Sequence, residues 1–541
     1  MAAKELYFGD ESKKKLMSGI EKVAKAVQTT LGPCGRNVMF QNGTNITVTK
    51  DGVTVAKNIE LEDPVENLGA ALIKQVAAKT NEVAGDNTTT STILAYAIVK
   101  EGMKAISAGM LPTELKKGID FAVKQAVEKL EGMSKPVETE DEITNVATIS
   151  ANNDPEIGKI LAEAVNKVGK DGVITVEESN NISTTVEVVD GLQISNGWLN
   201  PNMCNNKERL EVDYDDCYVL VTDKQISGMN QIIKILEAVV ASGKPLTIIC
   251  DDMDGEALGT IILNDIRGSL KVNVVKAPSF GNNKKEILGD IAALTGAEII
   301  SDDYGRTLEN ATIDLLGSAK VKSTKNETII TGGKSKPGIL EARINEIKGQ
   351  INAAKEDYDK NKLKARLAKL TGGVAVVKVG AATEVELKEK KFRVDDTIAA
   401  TRAALEEGIV PGGGVALYES SLWLDVRAGM SNDYYRGVGI VVDAMRVPLK
   451  SIAENSGING EVVMSNIVNA DKKGWGYNAL TEEYCDMMSS GIIDTTKAIK
   501  NALINAASVA AMILTTECTI TDVPKKNDEP LIASPVGPLP M

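Results

Sequence analysis

The segment Gly85-Asp86-Asn87-Thr88-Thr89-Thr90 joins two amphipathic helical patterns and opens the second. A helix start presents unpaired backbone N–H groups and the positive end of the macrodipole. Three threonine hydroxyls add donors there, which suits a phosphate. The Asp86 carboxylate can hold a magnesium ion that bridges phosphate oxygens. Taken alone, the same residues make an ordinary Asp or Asn cap on a Thr-rich first turn. Their weight depends on what else the chain supplies.

Four other stretches offer matching chemistry. Thr30-Leu31-Gly32-Pro33 lets a phosphate approach the backbone where glycine removes the Cβ, although Gly and Pro there are also a plain helix stop. Lys50-Asp51-Gly52 places a carboxylate at a strand end, or simply a turn. Asp395-Asp396 precedes Thr397 inside a helical segment; one carboxylate there can polarise an attacking water, or both can face solvent. Gly412-Gly413-Gly414 can pass close to a ribose or base, or serve as a link. The standard nucleotide motifs fail. Gly333-Lys334-Ser335 ends like a Walker A loop, but Thr328 stands where that motif needs glycine. Gly437-Val438-Gly439 has Val442 in place of its third glycine.

The elements that must position these residues belong to a large globular chain. Its 541 residues imply about three domains by length. Hydrophobic content is 43% and aromatic content only 4%, so the cores are built from Val, Ile, Leu, Ala and Met. The net charge of -14 argues against nonspecific nucleic-acid binding, which needs a basic surface. Histidine is absent and six cysteines (34, 204, 217, 250, 485, 518) are scattered without CxxC spacing, which removes zinc sites and His-based triads. Reduced thiols and an N-terminus without an apolar signal segment lead to the expectation of a cytoplasmic protein. The apolar run Ala506 to Leu514 is too short, and too broken by Ser508, to span a bilayer.

Leu16, Ile20, Val23 and Val27 form a helical stripe. Residues 37–40 and 45–49 read as two strands about an Asn42-Gly43 hairpin signal. Asp63-Pro64-Val65-Glu66 carries a cap pattern for the next helix, with Asp as cap, Pro first and Glu third. Helices follow from Thr89 to about Ala108 and from Pro112 to about Leu130. Ser134-Lys135-Pro136 reads as a boundary, and Thr148 to Asn153 precedes a further helix. From about Asp190 short β-branched strands (219–221, 246–249, 272–275) alternate with helices 231–240 and 256–267, the rhythm of an α/β unit. A long stripe from Leu340 to Leu370 reads as a helix hairpin, and residues 374–379 return as a strand. After Glu384 the chain reads as mostly helical to Ser508. The Pro-rich tail beyond Asp522 lacks periodicity and reads as mobile.

In this order the strings resemble the group I chaperonins, the bacterial GroEL family, over residues 1 to about 524. The carrying strings are Thr30-Leu31-Gly32-Pro33 with Gly35-Arg36-Asn37-Val38, Thr49-Lys50-Asp51-Gly52-Val53, and Ala84-Gly85-Asp86 with Thr88-Thr89-Thr90. Further along come Thr148-Ile149-Ser150-Ala151-Asn152, Gly373-Val374-Ala375-Val376, Val379-Gly380-Ala381-Ala382-Thr383-Glu384, Ala403 to Gly408 with Gly412-Gly413-Gly414, and Thr515-Thr516-Glu517-Cys518.

The resemblance implies an α/β protein with a mostly helical equatorial domain and the three-domain, nested chaperonin fold. The expected segments are equatorial 1–132, intermediate 133–189, apical 190–374, intermediate 375–406 and equatorial 407–541. It also implies seven-membered homo-oligomeric rings, one or two, which enclose unfolded proteins under a GroES-like co-chaperonin and run on ATP, Mg2+ and K+. Carried over by position, Asp86 would ligate magnesium, and Asn87, Thr88, Thr89 and Thr90 would contact phosphates. Thr30, Leu31, Gly32, Pro33 and Lys50 would line the phosphate and monovalent-cation side. Gly413, Asn478, Ala479, Leu480 and Asp494 would hold ribose and base. Asp396 would activate water, assisted by Asp51, once a hinge brings it in. The client-binding and co-chaperonin surface would comprise Trp198, Leu199, Asn202, Met203, Ile233, Leu236, Leu258, Ile262 and Leu263, an exposed apolar strip.

Some positions depart from the family pattern. Asn87 stands where a second glycine is usual, in a backbone region that Asn tolerates. Asn202 and Met203 replace aromatics, Asn196 replaces an arginine, and the tail lacks Gly-Gly-Met repeats. Such departures fit a divergent bacterial or virus-encoded member. A passive holdase or scaffold with weak ATPase is the alternative reading. A metabolite kinase is a distant third, since no acceptor pocket is recognisable.

Overall fold

The structure, a computed structural model, describes residues 3–522 other than 43–44, 152–153, 170–171, 180, 208, 355, 423 and 425–428. The tail, Gly43 of the hairpin and Asn152 lie outside the described residues. The described chain gathers into two compact units, residues 1–161 with 392–541, and residues 162–391. The five-segment division expected from the sequence is finer than this.

The first unit is a helical assembly made from both chain ends. The Gly9–Gln28 helix buries Leu16, Ile20, Val23 and Val27, the stripe read from the sequence. At its centre lies the Thr88–Ser107 helix, packed against Pro64–Ala84, Asn432–Asn455 and Thr496–Leu514. Ile93, Leu94, Ile98 and Val99 of that central helix are at most 1% exposed. Each such side chain contributes about 1.5–3 kcal/mol of burial energy, so the start of this helix is held rigidly. Thr496–Leu514 is long and apolar enough to cross a membrane by composition, but two-thirds of it is buried in this core.

Asp63 caps the Pro64–Ala84 helix, accepting from Val65 and Glu66 N–H. Glu66 does not reach back to complete a capping box. Its carboxylate takes Ser18 Oγ at 2.8 Å and the Lys22 ammonium instead. Thr148 to Ser150 precede the expected helix, Pro155–Val168, and themselves form the last turn of a helix not read from the sequence, Glu140–Ser150. The chain after Glu384 is mostly helical, as expected, with two short strand pairs not read from the sequence: Ile409–Pro411 pairs with Ile493–Thr495, and Trp475–Asn478 with Glu483–Asp486. These runs of three or four residues are too short to register as periodicity.

The second unit is built on a six-stranded sheet in the order Val272–Lys276, Leu246–Cys250, Val212–Val221, Gly317–Ser323, Thr328–Thr331, Gly191–Ile194. The first three strands run parallel and the rest antiparallel. Its two faces feed separate cores, as strand alternation requires: Val272 and Val274 enter one, Val275 the other. The expected helix hairpin is present as Ile339–Ala353 and Asp357–Thr371. Arg343 and Arg366 from its two arms clasp Asp290, which is 2% exposed. A three-stranded sheet places Val374–Val379 between Val173–Glu178 and Thr185–Val189.

Candidate functional site

The turn before the central helix is built from two left-handed residues, Gly85 (φ 66°) and Asn87 (φ 62°). Between them, Asp86 accepts the N–H of Asn87 at 2.5 Å. The Asn87 carbonyl accepts from Ser91 N and opens the helix. Its side-chain oxygen is taken by the Thr90 hydroxyl at 3.1 Å, and no side chain caps the first turn. That leaves the first-turn amides directed at whatever occupies the space ahead of them. Thr88 and Thr90 are buried and Thr89 is half-buried.

Two other loops meet this turn. Asp51 follows the end of the Asn45–Thr49 strand, as expected, and caps the short Gly52–Lys57 helix, accepting from Val53 N and Thr54 N. Gly52 lies so close to Thr89 that a Cβ on it would sit 2.2 Å from the Thr89 hydroxyl oxygen. The Thr30 and Thr89 hydroxyls are 3.5 Å apart. Asn455 Nδ2 pins the loop at Thr30–Pro33 from below, donating to the carbonyls of Gln28 and Leu31. On another side, Asp494 occupies the Ile493–Thr495 strand, tied to Gly412 through Gly412 N donating to the Ile492 carbonyl at 2.9 Å. Gly413 packs on the Met487 methyl. Cys34 Sγ donates to the Ala479 carbonyl at 3.3 Å, which brings the 478–480 turn beside the Pro33 loop. Asn478 Oδ1 accepts from Leu480 N; Ala479 is buried and Leu480 exposed. Lys50 is exposed beside Asp51.

The electrostatics agree with the geometry. Burial, and after it the nearby Asp86, push the Asp494 carboxyl up to about 7 against the opposing pull of the Asn87 amide. Asp86 is also raised, first by burial and then by Asp51, against the Asn87 N–H and the Ser150 hydroxyl. Both groups keep some accessible surface yet are desolvated, as in the wall of a recess. Carboxylates crowded in this way favour a bound cation, which removes their mutual repulsion. Among the described residues no three carboxylates group closely enough to hold a metal by themselves, so a divalent ion at Asp86 would need oxygens of the ligand, and the uncapped helix start fits phosphates.

Asp396 arrives on the Glu384–Glu407 helix. A Cβ on Gly85 would lie 2.2 Å from Ala399 Cβ and 3.2 Å from the Asp396 carbonyl oxygen. The turn carrying Asp396 is thus seated on the Asp86 loop. Arg393 on the same helix reaches Asp154 at 3.3 Å. Sequence reasoning missed Ser150, Asn455 and Met487. Ser150 lay within the Thr148–Asn152 string and could have been found there; the other two carry no local signal.

A profile of the TCP-1/cpn60 chaperonin family matches residues 23–524. The chain belongs to the TCP-1/cpn60 chaperonin family. Among solved structures it is similar to the chaperonin gp146 from the bacteriophage EL 2 (Pseudomonas aeruginosa), crystallised in the presence of ATP-BeFx. The two are 24% identical, the match covers 96% of this chain and 99% of that one, and the TM-score is 0.69. The fold is therefore the chaperonin fold.

In this chaperonin the nine residues expected on the client-binding surface divide. Ile233 and Leu263 are exposed, at 44% and 56%, and Asn202 is exposed too. Leu199, Leu258 and Ile262 are half-buried against the sheet's outer core. Trp198 is half-buried, its indole N–H donating to the Leu210 carbonyl at 2.8 Å. Met203 and Leu236 are not on the surface: they are 1% and 6% exposed and belong to the core. Helical spacing alone does not separate the outer edge of an apolar stripe from its buried centre. Val240 and Ile266, exposed at 51% and 63% on the same two helices, were missed.

Proposed function

We propose that this chaperonin binds Mg-ATP in the recess around Asp86, hydrolyses it, and uses the cycle to bind, enclose and release non-native proteins. The observation that carries this reading is the uncapped helix start beside Asp86, with the Gly52 turn packed on Thr89 and the Asp396 helix seated on Gly85. Asp86 would hold a magnesium ion, which when bound would supply charge neutralisation at the phosphate oxygens. The amides and hydroxyls of residues 87–90 receive phosphate, and Thr30 to Pro33 with Lys50 line the side where potassium joins it. Gly413, residues 478–480 and Asp494 hold ribose and base. Asp396 orients the attacking water and accepts its proton, and Asp51 assists. Intermediate segments 133–189 and 375–406 then carry the change to the client-binding domain, where Ile233 and Leu263 lead an apolar strip for unfolded chains. Seven-membered rings, a GroES-like cap and a cytoplasmic setting complete the proposal.

The test is phosphate release from ATP by the purified protein with magnesium and potassium, alongside refolding of a denatured client. Magnesium-dependent release together with ATP-dependent recovery of client activity is expected. Nucleotide-independent capture without phosphate release would replace this reading with that of a passive holdase.

A further inference from the structure

Two walls of the proposed nucleotide site lean on one stretch of a single helix. The Asn432–Asn455 helix contains Pro448, which has no N–H to donate to the carbonyl one turn back. Just past it the 412–414 loop comes against the helix backbone: a Cβ on Gly414 would lie 2.6 Å from Leu449 N. The next turn of the same helix meets the loop at Thr30–Pro33. Ser451, which is 1% exposed, accepts from Gln28 Nε2 at 2.9 Å. A Cβ on Gly32 would stand 3.2 Å from both Cγ1 and Cγ2 of Ile452. Asn455 completes the contact with its side chain.

The donor side of the Asn455 carboxamide is fully committed. An amide nitrogen carries two hydrogens, and Nδ2 directs them at the Gln28 carbonyl, 3.0 Å away, and the Leu31 carbonyl, 2.9 Å away. Gln28 ends the Gly9–Gln28 helix, where carbonyls lack partners within the helix itself. Capping that helix needs only the first of these bonds. The second reaches past the helix end into the loop, so the pair brackets the turn that carries Thr30, whose hydroxyl stands 3.5 Å from that of Thr89. We infer that Asn455 is a positioning residue for the nucleotide: its two hydrogen bonds hold the Thr30–Pro33 loop at its spacing from the start of the Thr88–Ser107 helix, and its helix ties that loop to the 412–414 loop across the site. The inference rests on the Mg-ATP reading above. Cys34 follows the loop directly and donates to the Ala479 carbonyl at 3.3 Å, so its thiol reports whether the loop is held.

Two measurements on the full chain test this. The first is calorimetric titration of adenosine and of ADP in magnesium and potassium, with no turnover involved. Asn455→Ala should weaken ADP about tenfold, the scale of one lost hydrogen bond, and leave adenosine within about twofold, because the phosphate side is the one released. Asn455→Asp, which keeps the shape and sets a carboxylate against two carbonyls, should weaken ADP more. The second is alkylation of the nucleotide-free protein by iodoacetamide, followed residue by residue by peptide mass spectrometry. Both variants should speed modification of Cys34 and leave Cys485, also half-buried, unchanged. Wild-type affinity for ADP in the variants would overturn the inference and leave the Mg-ATP reading intact. An equal loss for adenosine and ADP, or an unchanged Cys34 rate, would also overturn it, reducing Asn455 to a helix cap. Failure of the wild type to bind either ligand would reject the Mg-ATP reading and this role with it.

Discussion

Gly85 and Ala399 touch with no room for one methyl group between them: a Cβ on Gly85 would lie 2.2 Å from that of Ala399. The two residues are far apart in the chain, yet this contact seats the helix bearing Asp396 on the loop bearing Asp86. Gly85 also holds φ 66°, so conformation and space both demand glycine.

Gly85→Ala should therefore do more than strain a turn. Gly109 provides the control, since it is left-handed at φ 92° with nothing within 4 Å of a Cβ. Gly109→Ala should cost about 1–2 kcal/mol from backbone strain alone. Gly85→Ala should cost roughly 1–3 kcal/mol more from the overlap and should lower ATP hydrolysis. Thermal unfolding of the two variants makes the comparison. Equal losses would mean that the Ala399 contact is not made in solution.

Asp494 carries a pH signature. Its native pKa is pushed up to about 7 by burial and the Asp86 carboxylate, against about 4 in an unfolded chain. Between those values the native protein binds a proton that the unfolded chain does not. Stability of the nucleotide-free protein therefore falls as pH rises from about 4 through about 7. Asp494→Asn removes this contribution. Its melting temperature should exceed that of wild type at pH 8, with the difference shrinking to nothing near pH 4. A constant difference across that range would contradict the burial described here.

The outer surface of the second unit allows a paired test. Ile233 and Leu263 are exposed, whereas Leu236, one turn from Ile233, is 6% exposed. Ile233→Ser and Leu263→Ser should reduce capture of a denatured client in a light-scattering assay, with stability changed by less than about 0.5 kcal/mol. Leu236→Ser should instead destabilise the fold by about 2–5 kcal/mol. Capture unchanged by the two exposed substitutions would remove this strip from the proposal.

Much of the architecture was legible in the residues. The Leu16 to Val27 stripe, the Asp63 cap and the β-branched runs of the six-stranded sheet each encode their element within a dozen positions. The Gly85-to-Thr90 segment was visible as a helix start for the same reason. What was not legible depends on contacts distant in sequence. Glu66 abandoned its capping box because Ser18 and Lys22 lay on the adjoining helix. The Ile409–Pro411 and Ile493–Thr495 strands exist only by pairing with each other. Leu236 read as surface because a position on an apolar stripe does not reveal how deep the neighbouring sheet lies, and Met203 because the family resemblance placed it there.

The division of labour between Asp86 and Asp396 is the centre of the account, and the Asp396→Ala variant tests it most directly. Binding of ATP and single-turnover hydrolysis should be measured on the same preparation. The account predicts affinity within about threefold of wild type, since the cradle is formed by other residues, and hydrolysis slowed by at least about a hundredfold, the scale of a lost general base. Hydrolysis at the wild-type rate would contradict it.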